Sequence, residues 1–247
     1  MNNLIRKIKK GEGPVYRRIR SLARWIALPR APRLPTYLKP PLRLLYEAHF
    51  GVIMVARLLV TVFYRHPLFQ ARCASVGKNL VLGGLPFVSG HAEIHIGDDV
   101  SLGGRVSILS GGQLEQPKLI IKDRAAINWN VTITVSREVV IEEDALISFD
   151  CRISDTDGHP READLRAQNA PVHAADIRPV RICRNAWIGN GSHIMKGVTV
   201  GEGAVIGANS VVISDVPAYS LAMGNPAEVY FRNFGRPAKT KAQAAGE

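Results

Sequence analysis

The sequence predicts an all-β solenoid, a parallel β-helix built from six-residue repeats, with a helical region in front of it. Two observations predict this fold: a large aliphatic residue returns at every sixth position, and a small residue follows it four positions later. A helix would show a period near 3.6 and an exposed strand a period near two. A period of six instead requires a backbone that meets the same environment every sixth residue, as a triangular coil of three short strands does.

The large aliphatic residues open each repeat, and every opening position holds Ile, Leu or Val. These fifteen positions are Ile96, Leu102, Ile108, Ile121, Ile127, Ile133, Ile141, Ile147, Ile153, Ile182, Ile188, Ile194, Val200, Ile206 and Val212. The small residues at the fifth positions are Val100, Val106, Ala125, Val131, Ala145, Cys151, Ala186, Ser192, Val198, Ala204 and Ser210. We expect the large side chains inside the coil and the small ones at its corners. The run from Val76 to Val216 predicts on the order of seven coils.

Glycine recurs at the second position of the repeat, and we expect it to supply turns with unusual backbone dihedral angles. These glycines are Gly97, Gly103, Gly189, Gly201 and Gly207.

Three breaks interrupt the repeat, and a solenoid accommodates such breaks as loops on its surface. One extra residue lies between Ile108 and Ile121, and two lie between Ile133 and Ile141. The largest break, residues 154–181, is polar and irregular, which predicts one protruding loop. Long loops in compact domains are often functional, so this loop is the first candidate site.

Charge divides the chain into two regions. Residues 1–72 carry fifteen Lys and Arg against two acids, whereas residues 73–247 carry seventeen against nineteen. We therefore expect a basic amphipathic helical arm or cap over 1–72, a β-helix domain over 73–234 and a tail over 235–247. A basic arm indicates an anionic partner. Because no nucleic-acid-binding module is visible, we expect no nucleic acid and favour an anionic membrane surface.

The apolar segment Phe50–Tyr64 lies within this arm, is fifteen residues long and contains Arg57. A transmembrane helix needs about twenty apolar residues, so we expect this segment to be too short to cross a bilayer. Two alternatives remain open for the arm. It lies as an amphipathic helix in the headgroup plane, or it caps the first coil and packs on partner subunits.

The three cysteines, Cys73, Cys151 and Cys183, are an odd number at no metal-ligand spacing. This disfavours a disulfide framework and a cysteine-based zinc site, and it favours a reducing compartment. The first residues lack the apolar run of a signal peptide, so we expect a cytoplasmic protein. Cys151 occupies a corner position of the repeat, which favours packing over a nucleophilic role.

His159 is the strongest catalytic candidate, because it lies near the start of the long loop in the sequence DTDGHP. A neutral imidazole is a suitable general base near neutral pH. Asp155 and Asp157 directly precede it, and we expect one of them to orient or stabilise the imidazole. A three-histidine zinc site is the alternative, but His91, His95 and His193 lack the required spacing, so no metal is expected.

The segment NAWIGNGSHIMKGVTVGEGAVIGANSVVISDVPAYSLAMGNPAEVY resembles the C-terminal signature of hexapeptide-repeat acetyltransferases, which include galactoside, maltose and many polysaccharide O-acetyltransferases. Upstream, INWNVTIT and the later GHP resemble the active-site pair of that family. The resemblance covers residues 73–234. It implies a left-handed β-helix, a homotrimer, and acetyl-CoA bound in the groove between neighbouring subunits.

The resemblance also implies roles for individual residues. His159 matches the base that deprotonates the acceptor hydroxyl, and Asn128 matches the polar residue beside the thioester and acceptor. Trp187, Asn190 and Ala208 match positions that line the pantetheine arm.

The sequence departs from the family where the CoA phosphates are held. Ile213 and Ser214 stand where many members have Thr-Lys, and Glu228 and Phe231 stand where basic residues often follow. Ser214 and the nearby Arg232 are therefore the candidates for this end of the donor.

These observations predict an acetyl-CoA-dependent O-acetyltransferase that modifies a sugar hydroxyl of a membrane-proximal or lipid-linked glycan in surface polysaccharide biosynthesis. We expect it in the cytoplasm, peripheral on the inner face of the plasma membrane. Two alternatives remain: a non-catalytic β-helix scaffold with a membrane-binding arm, or an acyltransferase with an amine acceptor or a longer acyl donor.

Overall fold

The structure is a computed structural model that describes residues 6–7, 10, 13–27, 33–111 and 116–236. It divides into two compact units, one up to Val55 and one from Ala56 onward. Most of the expected tail, residues 237–247, lies outside the described residues.

Helices make up the N-terminal region. Helix α1 spans Pro14–Ala27, and a 3-10 turn at Thr36–Leu38 leads into helix α2, Lys39–Val60. Two prolines, Pro40 and Pro41, lie in the first turn of α2, where a missing N–H costs no helical hydrogen bond. One π-helical turn, Thr61–Arg65, joins α2 to helix α3, His66–Arg72.

The helical segment Thr36–Arg72 is 37 residues long, and its most apolar window has a mean hydropathy of 1.5 with no buried residue. By length and composition alone it is long enough to cross a membrane. We expected Phe50–Tyr64 to be too short to cross a bilayer. That argument from length is wrong, because the helix continues on both sides of this segment.

From Ser75 to Val212 the chain winds through three sheets in rotation, so that every third strand belongs to the same sheet; the last two strands both join the second sheet. The first sheet contains β1 Ser75–Val76, β4 Glu93–Ile96, β7 Lys118–Ile121, β10 Glu138–Ile141, β13 Val180–Ile182 and β16 Thr199–Val200. The second contains β2 Val81–Leu82, β5 Ser101–Leu102, β8 Ala126–Ile127, β11 Leu146–Ile147, β14 Trp187–Ile188, β17 Val205–Ile206, β19 Ser220–Gly224 and β20 Ala227–Arg232. The third contains β3 Phe87–Ser89, β6 Ser107–Ser110, β9 Thr132–Val135, β12 Arg152–Ser154, β15 His193–Ile194 and β18 Val211–Val212.

Neighbouring strands pair in parallel except β19 and β20, which form an antiparallel pair. The opening residues of successive coils lie opposite one another, as Ile121, Ile141 and Ile182 do. This register confirms the predicted parallel stacking with a period of six. The described strands form six complete coils, and β19 belongs to a partial seventh.

The apolar core lies inside the coils. All fifteen opening residues and all eleven small corner residues named above are at most 4% exposed. Full burial of one such aliphatic side chain stabilises the fold by about 1.5–3 kcal/mol. Phe69 of α3 is 1% exposed and belongs to the same buried cluster as Leu80 and Leu82, so it covers the first coil.

The second-position glycines have a different role from the one expected. Left-handed φ angles fall at the fourth position of the repeat instead, for example 61° at Asn130 and 57° at Asn185. A Cβ on Gly103 would lie 2.6 Å from the carbonyl carbon of Asn128, and one on Gly189 would lie 2.5 Å from the carbonyl oxygen of Ile206. The dihedral explanation is therefore wrong: glycine is needed because the next coil approaches too closely for a side chain.

Candidate functional site

The corner between the second and third sheets carries one row of residues at equivalent positions of successive coils. We call this set the corner row: Gly84, Gly104, Trp129, Phe149, Asn190 and Ala208. Backbone hydrogen bonds hold the coils in step here. The amide of Asp150 donates to the carbonyl of Trp129 at 3.1 Å, and the amide of Asn209 donates to the carbonyl of Asn190 at 2.7 Å. The row forms a continuous, partly exposed strip along the coil.

Asn128 lies beside the corner row, directly after β8. Its half-buried side chain donates through Nδ2 to the carbonyl of Ile147 in the next coil at 3.1 Å. This bond fixes the amide group at the surface of the corner.

Trp187 lies on the same side of the coil, at the start of β14. Its indole Nε1 donates to Oγ of Ser148 at 3.0 Å, and the side chain is 48% exposed. The two remaining predicted pantetheine contacts, Asn190 and Ala208, are exposed members of the corner row. The structure therefore places Asn128, Trp187, Asn190 and Ala208 along one edge.

The segment after β12 leaves the coil at a different corner, between the third and first sheets. It contains helix α4, Ala163–Ala167, and a 3-10 turn at Ala174–Asp176, before the chain re-enters the coil at β13. His159 lies near its start, between Gly158, whose φ is +81°, and the buried Pro160.

Asp155 anchors the first part of this loop. The residue is fully buried, and its carboxylate accepts hydrogen bonds from the backbone amides of Ser136 at 2.8 Å, Arg137 at 2.6 Å and Glu138 at 2.9 Å. Burial raises the pKa of the Asp155 carboxyl, and these amides partly offset that effect. The carboxylate thus ties the loop to the preceding coil.

A second anchor joins Asp157 to Lys196. Nζ of Lys196, whose side chain is only 6% exposed, lies 2.5 Å from Oδ2 of Asp157 and 4.0 Å from Oδ1 of Asp176. A lysine this buried requires a charged partner. Neither Asp155 nor Asp157 forms a hydrogen bond with His159 among the described residues: Asp155 accepts from backbone amides, and Asp157 pairs with Lys196. Stabilisation of a charged imidazole by either carboxylate stays a prediction. The sequence alone did not single out Lys196, which occupies an ordinary third position of its repeat.

The His159 side chain is exposed, and none of the described residues forms a hydrogen bond or ion pair with it. Its ring nitrogens are therefore available to an acceptor. Within one chain His159 and Asn128 belong to different corners, which the third sheet separates. One copy of the chain does not bring the two predicted catalytic groups together.

The predicted phosphate-end residues lie in the C-terminal part of the chain. Ser214 is exposed after β18, and the exposed Arg232 ends β20, opposite Ser220. A second arginine, Arg236, is close to Arg232 in sequence. Its guanidinium carbon lies 5.7 Å from the ring centre of Tyr219.

Cys151 is buried, and its thiol donates to the carbonyl of Gly189 at 3.2 Å. Burial raises the pKa of this thiol, so it stays protonated and packs as a core residue. Within the described ranges, no three His, Cys, Asp or Glu residues are grouped so that they could hold a metal ion.

The comparisons with known proteins agree with this architecture. The family described as bacterial transferase hexapeptide (six repeats) matches residues 179–214. Galactoside O-acetyltransferase of Escherichia coli is 38% identical over 102 residues, which are 41% of this chain and 48% of that enzyme. The chain spans about half the length of the curated relatives it matches. These matches confirm the resemblance to hexapeptide-repeat acetyltransferases.

Two solved structures share the fold. AntD, an N-acyltransferase from Bacillus cereus in complex with dTDP and 3-hydroxybutyryl-CoA, has a TM-score of 0.54 at 19% identity, covering 68% of this chain and 87% of that chain. A mutant of AntD in complex with dTDP and coenzyme A has a TM-score of 0.57 at 20% identity, covering 70% and 90%. At these identities the likeness establishes the shared fold.

The loop anchor gives a first testable prediction. Asp155→Ala should lower the free energy of unfolding by about 2–4 kcal/mol, because three backbone amides, one of them buried, lose a charged acceptor. Asp155→Asn should cost less, since its amide oxygen still accepts. Urea unfolding measures both values. Asp164→Asn, an exposed change in the same loop, is the control and should leave the unfolding midpoint unchanged; an Asp155→Ala protein as stable as this control would contradict the anchor.

Proposed function

We propose that the protein is an acetyl-CoA-dependent O-acetyltransferase that acts on a sugar hydroxyl, and that its coil is left-handed. The observation that carries the proposal is His159, an imidazole with free ring nitrogens on a loop tethered by Asp155 and by the Asp157–Lys196 pair. The resemblance to galactoside O-acetyltransferase supports the reaction class. A sugar of a membrane-proximal or lipid-linked glycan in surface polysaccharide biosynthesis is the proposed acceptor.

In the proposed mechanism His159 accepts the proton of the acceptor hydroxyl. The acceptor oxygen attacks the thioester carbonyl carbon, and the oxygen of the tetrahedral intermediate takes the negative charge. A main-chain amide or the side chain of Asn128 stabilises this charge. The carbon–sulfur bond then breaks, and the imidazolium returns its proton to the leaving thiolate. No covalent enzyme intermediate is needed, in keeping with the buried Cys151.

Acetyl-CoA is proposed to lie along the C-terminal part of the corner row, at Asn190 and Ala208. Asn190 and Ala208 are exposed on this edge, and Trp187 offers an exposed apolar face. Asn190 and Ala208 would contact the pantetheine arm through main-chain groups. Ser214 and Arg232 would serve the phosphate end, where the arginine supplies the positive charge.

The proposed assembly is a homotrimer. His159 and Asn128 lie at different corners of one coil, so a complete site needs His159 from one copy and Asn128 from its neighbour. A cyclic trimer of triangular coils supplies three such pairs with the same interface.

Replacement of His159 tests the base. His159→Ala should lower kcat by about 10²- to 10⁴-fold, the typical contribution of a positioned general base, and should leave acetyl-CoA affinity nearly unchanged. Steady-state kinetics with acceptor screening by mass spectrometry, together with CoA titration calorimetry, measures both quantities.

The matched control is His173→Ala in the same loop, where the imidazole lies 3.7 Å from Glu162. It should keep most of the activity. Near-normal turnover of His159→Ala on its true acceptor would refute the mechanism, and a wild-type protein that does not bind CoA would favour the non-catalytic scaffold. Products with an amine acceptor or a longer acyl chain would change the substrate but not the role of His159.

Mixing two inactive variants tests the shared site. His159→Ala and Asn128→Ala should each be inactive alone, but trimers reassembled from equal amounts should regain about a quarter of wild-type activity, because random assembly creates interfaces with both residues intact. Activity after denaturation and refolding of the mixture is the measurement. A mixture as inactive as each parent, in trimers verified by sedimentation, would rule out sites shared between copies.

We also propose that residues 1–72 associate with an anionic membrane surface. The side chains of Val55, Leu59 and Val62 lie on the side of the helix opposite Arg57 and are 57%, 52% and 47% exposed. An apolar face beside clustered Lys and Arg fits a helix that lies in the headgroup region. This would place the protein at the inner face of the plasma membrane.

Changing Val55, Leu59 and Val62 together to Gln should abolish sedimentation with phosphatidylglycerol vesicles, because the face loses its apolar surface while every charge is kept. Co-sedimentation at low and high salt measures binding. Val81→Gln, an exposed valine on the first coil, is the control and should bind like wild type. Equal sedimentation of the triple variant and wild type would contradict the membrane proposal.

A further inference from the structure

A cavity of about 580 Å³ opens beside the first coils, on the N-terminal side of Asn128. Its lining includes Arg57, Arg65 and Arg105 and two aromatic side chains, Phe87 and Trp129. None of the described lining residues is acidic. A volume of this size suits a ligand as large as a sugar phosphate. Three guanidinium groups in one cavity indicate an anionic ligand.

Arg57 and Arg65 reach the cavity from one side of the helix. Arg57, Thr61, Arg65 and Phe69 are spaced by four residues, and Phe69 is buried in the core of the coil. This spacing places them on one helix face, which the buried Phe69 turns toward the coil. The guanidinium of Arg65 donates to Oγ1 of Thr61 at 3.2 Å. Neither arginine forms an ion pair with a carboxylate among the residues that the structure describes.

Arg105 has an unusual backbone conformation for its residue type. Its φ is 58°, at the fourth position of the repeat, where most coils have Asn, Asp or Gly. Arg124 stands at the same position with a φ of 57°, but its guanidinium is paired with Asp144 at 2.7 Å. No described residue pairs with Arg105 in this way. The turn of the repeat accounts for this φ, so what distinguishes Arg105 is a guanidinium group without a carboxylate partner among the described residues.

The indole of Trp129 forms one wall of the cavity. A Cβ on Gly104 would lie 2.5 Å from Cζ3 of Trp129, so the ring lies directly over this glycine. The ring is nevertheless 51% exposed. A large apolar face held against the backbone, next to three arginines, suits a ligand with a sugar ring beside its phosphate.

We propose that this cavity is an acceptor subsite that binds a phosphate or diphosphate group attached to the sugar to be acetylated. The assignment to the acceptor rests on the proposed function. The predicted donor contacts Trp187, Asn190 and Ala208 lie on the coils that follow Asn128, whereas the cavity lies on the two coils that precede it, with Trp129 of its own coil as one wall. A phosphate held by the arginines would position the sugar between the cavity and Asn128.

Binding of inorganic pyrophosphate, measured by titration calorimetry with and without saturating CoA, tests the subsite. Arg105→Asn is the main variant, because asparagine is the residue that other coils place at this φ and the turn should fold normally. Arg105→Asn and Arg65→Gln should each weaken pyrophosphate binding by about tenfold or more, while CoA affinity stays unchanged. Lys78→Gln removes one charge from another corner of the first coil and should bind within about twofold of wild type.

Two further probes distinguish the source of the phosphate. Arginine-dependent binding of UDP-N-acetylglucosamine supports a soluble sugar nucleotide. Arginine-dependent binding to phosphatidylcholine vesicles doped with a polyprenyl phosphate supports a lipid-linked acceptor. The subsite is overturned if none of the three probes binds, if the arginine variants bind as wild type does, or if CoA displaces pyrophosphate. Arginine-dependent binding of pyrophosphate to a protein with no affinity for CoA would keep the subsite and refute the proposed function.

Discussion

The inward stacking of one aliphatic side chain per repeat is the constraint on which the rest of the structure depends. Each Ile, Leu or Val packs on its equivalents in the coils before and after it, so the backbone must return to the same place every sixth residue. The corners are then fixed in line, with a spacing of about 4.8 Å between coils. Asn128 and Asn190 occupy a straight edge for this reason. The packing of the core therefore determines where these site residues lie along the coil.

The same constraint decides where variation is possible. A coil cannot absorb extra residues along its sides, so the long insertion after Ser154 leaves at a corner and must be held by other means. Asp155 and the Lys196–Asp157 pair hold the insertion through polar contacts. Asp155 and Lys196 are both buried, and a buried charge without a partner would destabilise the fold. The carboxylates beside His159 therefore tie the loop to the coil, and the imidazole forms no hydrogen bond with the described residues. Because this corner is not that of Asn128, the proposed site would take Asn128 from a second copy of the chain.

The core was predictable from the sequence because its signal is residue size at a fixed period, and every predicted inward position is buried. The features that were not predictable depend on contacts distant in sequence or on backbone conformation. Lys196 meets Asp157 across 39 residues, and nothing in its repeat distinguishes it from a surface lysine. The sequence showed that the second position of the repeat favours glycine, but it did not show why. Close approach between coils and an unusual φ both select glycine, and the sequence does not distinguish them. The arginine cavity was missed because its members come from a helix and from separate coils.

The order of features along the coil connects these parts. The helical segment that carries Arg57 and Arg65 precedes the first coil in the chain, and the arginine-lined cavity comes next. Asn128 follows, and Asn190 and Ala208 of the corner row lie on later coils. Because Arg57 lines the cavity, the apolar side of the helix would be the side that meets lipid in the proposed membrane association. An acceptor phosphate near the headgroups would then enter at the N-terminal end of the coil. The acyl donor would bind on the C-terminal coils, at Asn190 and Ala208. The two substrates would meet where the neighbouring copy supplies His159, without competing for one entrance.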